Sequence, residues 1–294
     1  MDRRAFARTA LALAAGRPVA QAMAYDEPAQ KNWGHPDADR WRAIEASVRG
    51  RLGVAVLDTA SGALAGYRLD ERFAMCSTFK VLAAALALTR VERGQDSLER
   101  RILYDRAAVV AYSPETGNHA GEGMTLGEIC KAALTLSDNT AGNLMLDSFG
   151  GPPALTCYAR GLGDDVTELD RFETGLNEAT PGDPRDTTTP AAMAANLDKI
   201  LLGDALSARS RQQLTAWMLA NRTGDRRLRA GVPGDWRVAD KTGGGGNAAT
   251  NDIAVLWPPG RAPIVVAVYF GQSPAPDETR NRVVAEVGRL AALL

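Results

Sequence analysis

The stretch Ser77-Thr78-Phe79-Lys80 leads directly into VLAAALALTRV at residues 81–91, a strongly apolar helical run. The pattern predicts Ser77 at or near a helix N-terminus, with Lys80 one turn further on. Residues three apart share a helix face, so the lysine amine can reach the serine hydroxyl. That hydroxyl becomes a nucleophile when a base takes its proton, and free N–H groups at a helix N-terminus suit a developing oxyanion. Taken alone, the motif favours an ordinary N-cap serine and a solvated lysine, so the rest of the chain decides.

Composition excludes several classes of partner. The chain has 294 residues, is 45% hydrophobic and 23% charged, and carries a formal net charge of -1. These values are typical of a globular protein without a broad basic field, which argues against nucleic acid as a partner. No apolar run approaches the roughly 20 residues of a membrane span, so no membrane partner is expected.

Histidine and cysteine are too scarce for several kinds of site. The two histidines are His35 and His119, and the three cysteines are Cys76, Cys130 and Cys157. Their number and spacing predict no metal site and no cofactor, and they argue against a Ser-His-Asp triad. The odd cysteine count indicates no disulfide framework.

The N-terminus is typical of an export signal at residues 1–24. Arg3, Arg4 and Arg8 make a basic start, residues 10–15 form a weakly apolar core, and residues 22–24 read Ala-Met-Ala, a small-x-small cleavage site. The pair Arg3-Arg4 also resembles a twin-arginine motif. We therefore expect an exported protein, periplasmic or secreted, with a disordered basic tail as the alternative.

Strand-like runs lie at both ends of the chain, with helical patterns between them. Residues 52–57 and 64–69 predict a hairpin, and residues 237–242, 251–257 and 264–270 predict three more strands before a closing helix at 277–294. Thr125 and Glu128 predict a capping box for a helix over 126–136. The fold class expected is α/β (α+β): one antiparallel sheet built from both chain ends with flanking helices (residues 25–70 and 220–294), plus an inserted all-α domain (residues 71–219) that includes a long loop at 171–186.

Three further motifs accompany the serine and lysine. Ser137-Asp138-Asn139 follows an apolar helix, Lys241-Thr242-Gly243 ends a strand, and the long loop contains Arg171-Phe172-Glu173 with Asn177. Each is ordinary by itself, as a turn, a strand end or solvated loop residues. Their joint occurrence, in this order and at these separations, is not expected by chance.

The chain resembles the class A serine β-lactamases from about residue 40 to its C-terminus, through these four motifs. The resemblance implies a catalytic set of Ser77, Lys80, Ser137, Glu173 and Gly244. Ser77 would attack the lactam carbonyl, with Lys80 or Glu173 as its base, and the N–H groups of Ser77 and Gly244 would bind the oxyanion. Ser137 would protonate the leaving nitrogen. Glu173 would activate the water that hydrolyses the acyl-enzyme.

The resemblance also implies a set of substrate-binding residues. Lys241, Thr242 and Arg227 would bind the substrate carboxylate, and Asn139 the side-chain amide. Asn177 would help to hold the water, and Tyr112 would line the mouth of the cleft. An Arg171–Asp186 pair would close the neck of the long loop. The substrate is then a small-molecule β-lactam, and the protein is expected to be a monomer.

The chain departs from this family's pattern in two places. Residues 244–246 are all glycine, where many relatives carry a Ser or Thr hydroxyl, so no side-chain donor lies beside the predicted oxyanion hole. Cys76 lacks the second cysteine that pairs with it in some relatives, and Cys130 faces Ala84 where its familial partner would stand. Free thiols are therefore expected.

Two other functions share part of this pattern. A D-alanyl-D-alanine peptidase of the penicillin-binding-protein type would share three motifs but need not carry Glu173 and Asn177. A non-hydrolytic β-lactam sensor would acylate without turning over, and it would normally adjoin a membrane anchor. The loop glutamate and the export signal count against both.

Overall fold

The computed structural model describes residues 36–293, with side chains from residue 38 onward. The predicted export signal at residues 1–24 lies outside this range. The strands are β1 Arg51–Asp58, β2 Ala63–Tyr67, β3 Phe73–Ala74, β4 Arg101–Ile102, β5 Met124–Thr125, β6 Thr187–Thr188, β7 Arg237–Gly244, β8 Thr250–Trp257 and β9 Ile264–Gly271. The α-helices are α1 Pro36–Val48, α2 Phe79–Glu92, α3 Leu126–Thr135, α4 Asn139–Phe149, α5 Pro152–Gly161, α6 Pro190–Leu197, α7 Ala208–Leu219, α8 Leu228–Gly231 and α9 Asp277–Ala291.

The main sheet has five strands in the order β2-β1-β9-β8-β7, and each neighbouring pair is antiparallel. β1 and β2 come from the N-terminal part of the chain, and β7 to β9 from the C-terminal part. The predicted antiparallel sheet built from both chain ends is therefore confirmed, as are its flanking helices and the helical segment inserted between the strands. β7 is an edge strand, and this leaves one side of Lys241-Thr242-Gly243 available to other parts of the chain.

Both faces of the sheet are covered, because alternate residues of each strand enter different cores. Val54 and Val56 of β1 pack in one cluster with Trp41 of α1 and Val284 of α9, whereas Ala55 belongs to the cluster formed with the inserted helices. Strand β9 is buried from Ile264 to Phe270. Full burial of one such large apolar side chain contributes about 1.5–3 kcal/mol, so this central strand anchors the sheet between two helical layers.

Local sequence signals account for several helix boundaries. The predicted capping box opens α3: Thr125 accepts from the Glu128 amide while the Glu128 carboxylate accepts from the Thr125 amide. Helix α4 begins at Asn139, and the Asp138 side chain caps it by accepting from the Ala141 amide.

The sequence analysis missed two short antiparallel ribbons, β3 with β6 and β4 with β5. Each strand has only two residues, too few for an alternating pattern to be visible. The β3–β6 ribbon joins the segment before Ser77 to the end of the long loop, so it sets the position of that loop. Among the described residues, no helix combines the length and the apolar character needed to cross a membrane.

Candidate active site

Ser77 lies in a buried 3-10 turn, Cys76–Thr78, that continues into α2. Cys76 has a positive φ of 45°, a conformation that non-glycine residues rarely adopt and that often marks functional sites. The turn places Ser77 at the N-terminal end of α2, as predicted. Lys80 follows one turn later, and its Nζ lies 2.9 Å from Ser77 Oγ.

Lys80 is fully buried and has four oxygen atoms around its amine. An ammonium group has three protons, so it cannot donate to all four oxygens at once. Burial lowers the pKa of Lys80, and the nearby Glu173 carboxylate opposes this shift. Loss of one proton leaves an amine that can accept from the serine hydroxyl. The oxygens are Ser77 Oγ at 2.9 Å, Ser137 O at 2.9 Å, Asn139 Oδ1 at 2.8 Å and Glu173 Oε1 at 2.9 Å.

Glu173 reaches the same centre from the long loop. Its Oε1 lies 3.3 Å from Ser77 Oγ, and its Oε2 accepts from Asn177 Nδ2 at 2.5 Å. Asn143 of α4 holds the backbone of Glu173 on both sides: Oδ1 accepts from the Glu173 amide at 2.8 Å, and Nδ2 donates to the Glu173 carbonyl at 3.0 Å. The carboxylate is thus fixed beside the serine by two amide side chains.

The turn between α3 and α4 presents Ser137 and Asn139. Ser137 has a φ of 60°, and Asn139 Nδ2 donates to Ala111 O at 2.9 Å. Asp138 is fully buried and accepts from the Thr116 amide and hydroxyl at 3.0 and 2.7 Å. The central aspartate therefore holds the neighbouring loop in place, and the residues on either side of it both contact Lys80.

The end of β7 forms the opposite wall of the site. Lys241 Nζ donates to Ser137 Oγ at 2.9 Å, and Thr242 Oγ1 lies 2.5 Å from Thr223 Oγ1. Lys241 is fully buried, and burial together with the charge of Lys80 holds its pKa well below the usual lysine range. An anion that binds beside Lys241 favours its protonated form, so this end of the site suits an anionic group.

Arg227 lies at the end of β7, and three of its five N–H donors are used within the protein. Nη1 donates to Gly243 O at 2.8 Å and to Asn251 O at 2.6 Å, and Nε donates to Asn281 Oδ1 at 2.9 Å. A guanidinium group has five N–H protons, so these bonds leave the two on Nη2 for another group. The predicted carboxylate-binding arginine thus also joins β7 and β8 to α9.

The glycines after β7 allow the long loop to approach the sheet edge. A Cβ atom on Gly245 would lie 2.5 Å from Asn177 O and 2.8 Å from Cys76 Sγ, and one on Gly246 would lie 2.4 Å from Glu178 O. The Gly246 amide donates to Asn177 O at 2.8 Å. Glycine is therefore a packing requirement at residues 245 and 246, because a side chain at either position would push the loop and Asn177 away from the serine.

The remaining predicted residues lie around this centre. Arg171 Nε and Asp186 Oδ2 are 2.6 Å apart, so the predicted pair at the neck of the loop is confirmed. Tyr112 is 61% exposed, has a positive φ of 59°, and accepts the Asn139 amide through its carbonyl. His119 lies in a loop near Glu115 and does not contact the serine network.

All three cysteines are free thiols: Cys76 and Cys130 are buried and Cys157 is exposed. Among the residues that the structure describes, no cluster of three His, Cys, Asp or Glu side chains is arranged to hold a metal ion.

Sequence reasoning missed Asn143 and Thr223 as parts of this site. Asn143 carries a usable signal, since it lies four residues after Asn139 on α4 and hence on the same helix face. Thr223 carries none, because its contact with Thr242 depends on how the segment after α7 crosses the end of β7.

Comparisons with known proteins agree with this geometry. A sequence model described as the beta-lactamase enzyme family matches residues 38–293. Beta-lactamase L2 of Stenotrophomonas maltophilia is 50% identical over 255 residues, which cover 86% of this chain and 84% of that protein. Beta-lactamase CTX-M-25 of Escherichia coli is 48% identical over 248 residues, covering 84% of this chain and 85% of that one.

Solved structures give the same result. An ancestral class A β-lactamase superposes with a TM-score of 0.85 at 62% identity and covers 86% of this chain and 97% of its own. A putative class A β-lactamase, PenP of Rhodopseudomonas palustris, superposes with a TM-score of 0.86 at 57% identity, covering 87% and 99%. The chain belongs to the class A serine β-lactamase family.

Proposed function

We propose that this enzyme hydrolyses the β-lactam ring of penicillin- and cephalosporin-type antibiotics through an acyl-enzyme on Ser77, which water activated by Glu173 then cleaves. One observation carries the proposal. The serine hydroxyl lies within 2.9 Å of a buried lysine amine and 3.3 Å of a buried carboxylate, and both of these groups also contact each other. A nucleophile with two adjacent bases suits a reaction that needs one proton removed from serine and later one from water.

In acylation, Ser77 Oγ attacks the lactam carbonyl and loses its proton to Lys80 or to Glu173. The backbone N–H groups of Ser77 and Gly244 bind the oxyanion that develops. Burial supports Lys80 as a base, because it favours the neutral amine.

Cleavage of the C–N bond needs a proton on the leaving nitrogen. Ser137 Oγ supplies it, and two lysines maintain that hydroxyl in position: Lys241 donates to its Oγ, and Lys80 donates to its carbonyl. The proton that Ser77 gives to its base restores the Ser137 hydroxyl, so the net reaction moves one proton from Ser77 to the leaving nitrogen.

Substrate binding uses the anionic carboxylate that these antibiotics share. Lys241, Thr242 and the free Nη2 of Arg227 bind it by charge and hydrogen bonding. Asn139 binds the amide of the acyl side chain, and Tyr112 lies at the mouth of the cleft.

Deacylation needs a water molecule beside the ester. Glu173 and Asn177 hold this water. Glu173 takes a proton from it as the water oxygen attacks the ester carbonyl, and the proton passes to Ser77 Oγ when the ester bond breaks. The short contact between Asn177 Nδ2 and Glu173 Oε2 orients the carboxylate for this step.

Three further expectations, which concern domain organisation, oligomeric state and export, belong to the same proposal. The sheet with its flanking helices (residues 25–70 and 220–294) and the helical segment (residues 71–219) are two domains with the site between them. The enzyme acts as a monomer. It is exported after cleavage behind Ala24, and N-terminal mass analysis of the exported protein tests this site directly.

Steady-state hydrolysis of the chromogenic cephalosporin nitrocefin tests the function. The full enzyme should turn over many equivalents, whereas a sensor would release one equivalent and stop, and a peptidase would prefer a D-alanyl-D-alanine peptide. Ser77→Ala should abolish turnover, and Ser61→Ala, an exposed hairpin serine, serves as the matched control. Nitrocefin turnover that survives in Ser77→Ala contradicts the proposal.

A further inference from the structure

An open groove of about 600 Å³ runs along the exposed face of α3, outside the serine network. One wall is α3 itself, the second is the loop at residues 115–124, and the third is the end of α7 with the residues that follow it. We call it the α3 groove. Its principal lining residues are Glu115, His119, Lys131, Thr135, Leu136 and Arg222.

One end of the α3 groove lies beside the active site. Leu136 immediately precedes Ser137, and the Arg222 amide donates to Thr135 O at 2.9 Å. Thr223, the next residue, contacts Thr242 through the two hydroxyls at 2.5 Å. The groove therefore starts next to the proposed proton donor and next to the strand end that binds the substrate carboxylate.

The acidic residues of the groove already have partners. Glu128 accepts from the amide and hydroxyl of Thr125 in the capping box. Glu115 and Glu122 lie on either side of His119, with oxygen–nitrogen distances of 3.6 and 4.0 Å.

Three cations line the groove, and they differ in their hydrogen bonds. Arg101 donates to the carbonyls of Glu122 and Gly123 at 3.1 and 2.8 Å, whereas the side chains of Lys131 and Arg222 have no hydrogen bond within the described residues. Within residues 38–293, neither Lys131 nor Arg222 has a carboxylate within ion-pair distance, and both side chains are exposed. They lie on neighbouring walls. The backbone amide of Arg222 donates to Thr135 O, and Thr135 is one helical turn after Lys131 on α3. The groove thus presents two exposed cationic side chains, Lys131 and Arg222, that are available to bind an anionic group.

We propose that the α3 groove is a substrate subsite for an anionic substituent at C3 of cephalosporins, with Arg222 and Lys131 as its cationic contacts. The proposal rests on the function proposed above and narrows its substrate class. In a cephalosporin, the carbon that bears the carboxylate is bonded both to the lactam nitrogen and to C3. If the carboxylate lies at Thr242 and the nitrogen at Ser137, a C3 substituent leaves the ring beside these two residues.

From that position the substituent faces the end of the groove formed by Leu136 and Arg222. Penicillins carry only methyl groups at the equivalent ring carbon, so they place no charged substituent in the groove. Contacts between exposed charges are weak, and removal of one typically changes affinity by about 1.5- to 5-fold. The experiment therefore measures the ratio of kcat/KM between two substrates, because effects common to both cancel in that ratio.

The experiment compares two cephalosporins that share one C7 side chain and carry either a carboxymethyl or a methyl group at C3. For the unaltered enzyme, kcat/KM is measured for both at low ionic strength. The variants are Arg222→Gln, Lys131→Gln and the double variant. Arg209→Gln removes the same charge at the opposite end of α7 and controls for net charge.

Arg222→Gln and Lys131→Gln should each lower the carboxymethyl/methyl ratio by about 1.5- to 5-fold, and the double variant by more. Arg209→Gln should leave the ratio unchanged. Raising the salt concentration should reduce the ratio of the unaltered enzyme, because exposed charges are screened. A ratio that is the same in the double variant and the unaltered enzyme overturns the subsite, even if both substrates are hydrolysed. Absence of any β-lactam turnover by the unaltered enzyme would instead reject the proposed function.

Discussion

Replacement of Glu173 by glutamine should separate the two halves of the reaction. Glutamine keeps the size of the side chain and an oxygen for Lys80, but it cannot take a proton from water. Its amide nitrogen would face Asn177 Nδ2, and Asn177 can rotate its amide because its Oδ1 is buried without a hydrogen bond among the described residues. The variant should therefore fold and bind substrate with the loop in place.

The magnitude follows from the position of the carboxylate. Glu173 Oε1 lies 3.3 Å from Ser77 Oγ, so in the acyl-enzyme it flanks the ester that water must attack. A positioned general base contributes about 10²–10⁴-fold to rate. Its loss raises the deacylation barrier by roughly 3–5 kcal/mol. Acylation should fall less if Lys80 activates the serine.

The pH dependence of acylation should change as well. Burial lowers the pKa of Lys80, and Glu173 is the largest influence that raises it again. Without that negative charge the pKa of Lys80 falls further, so the neutral amine persists to lower pH. If Lys80 is the acylation base, the acid limb of the acylation rate should move to lower pH in Glu173→Gln.

Intact-protein mass spectrometry after mixing with a penicillin gives the clearest readout. Glu173→Gln should show a persistent mass increase equal to that of the intact antibiotic, with turnover nearly abolished. Glu178→Gln makes the same change at a carboxylate of the same loop that pairs with Arg171, and it should hydrolyse the drug without a lasting adduct. Rapid steady turnover by Glu173→Gln with no covalent adduct would falsify the role of Glu173 in deacylation.

Three further predictions concern the rest of the site. Arg227→Gln should lower kcat/KM for ionised β-lactams by about 10- to 100-fold and also lower Tm, because two backbone carbonyls lose a donor; an unchanged kcat/KM excludes the arginine from carboxylate binding. Thiol titration should detect one cysteine, Cys157, in the native enzyme and three after denaturation, since burial raises the pKa of Cys76 and Cys130 to about 12; a single thiol after denaturation would reveal a disulfide. Asp186→Asn breaks the ion pair at the neck of the long loop and should destabilise the fold by about 3 kcal/mol, which thermal melts would measure. Single-turnover kinetics should show deacylation slowed more than acylation. Equal slowing of both steps would mean that the loop has no specific role in deacylation.

Local patterns determined a large part of the fold. The spacing of Ser77 and Lys80, the Thr125–Glu128 capping box and the strand-like runs of β1 and β7 each depend on residues that are close together along the chain. Such contacts follow from the geometry of a single helix or strand, so they are readable along the chain. The resemblance to a known family then identified the distant members of the site.

Only the tertiary structure decided how these distant members meet. Glu173 is 96 residues from Ser77, and Lys241 is 104 residues from Ser137. Their contacts arise because β7 is an edge strand beside the Ser77 turn and because Asn143 holds the loop backbone. No local pattern encodes these placements.

The burial of the charged groups in the site also depends on the tertiary structure. Four oxygens surround the amine of Lys80, and its pKa falls because the packed structure excludes water. The backbone bonds of Arg227 and the close approach of the loop to Gly245 and Gly246 likewise appear only after the sheet and helices pack. Spacing along the chain indicates which groups are present, but their protonation and reactivity depend on which atoms replace water around them.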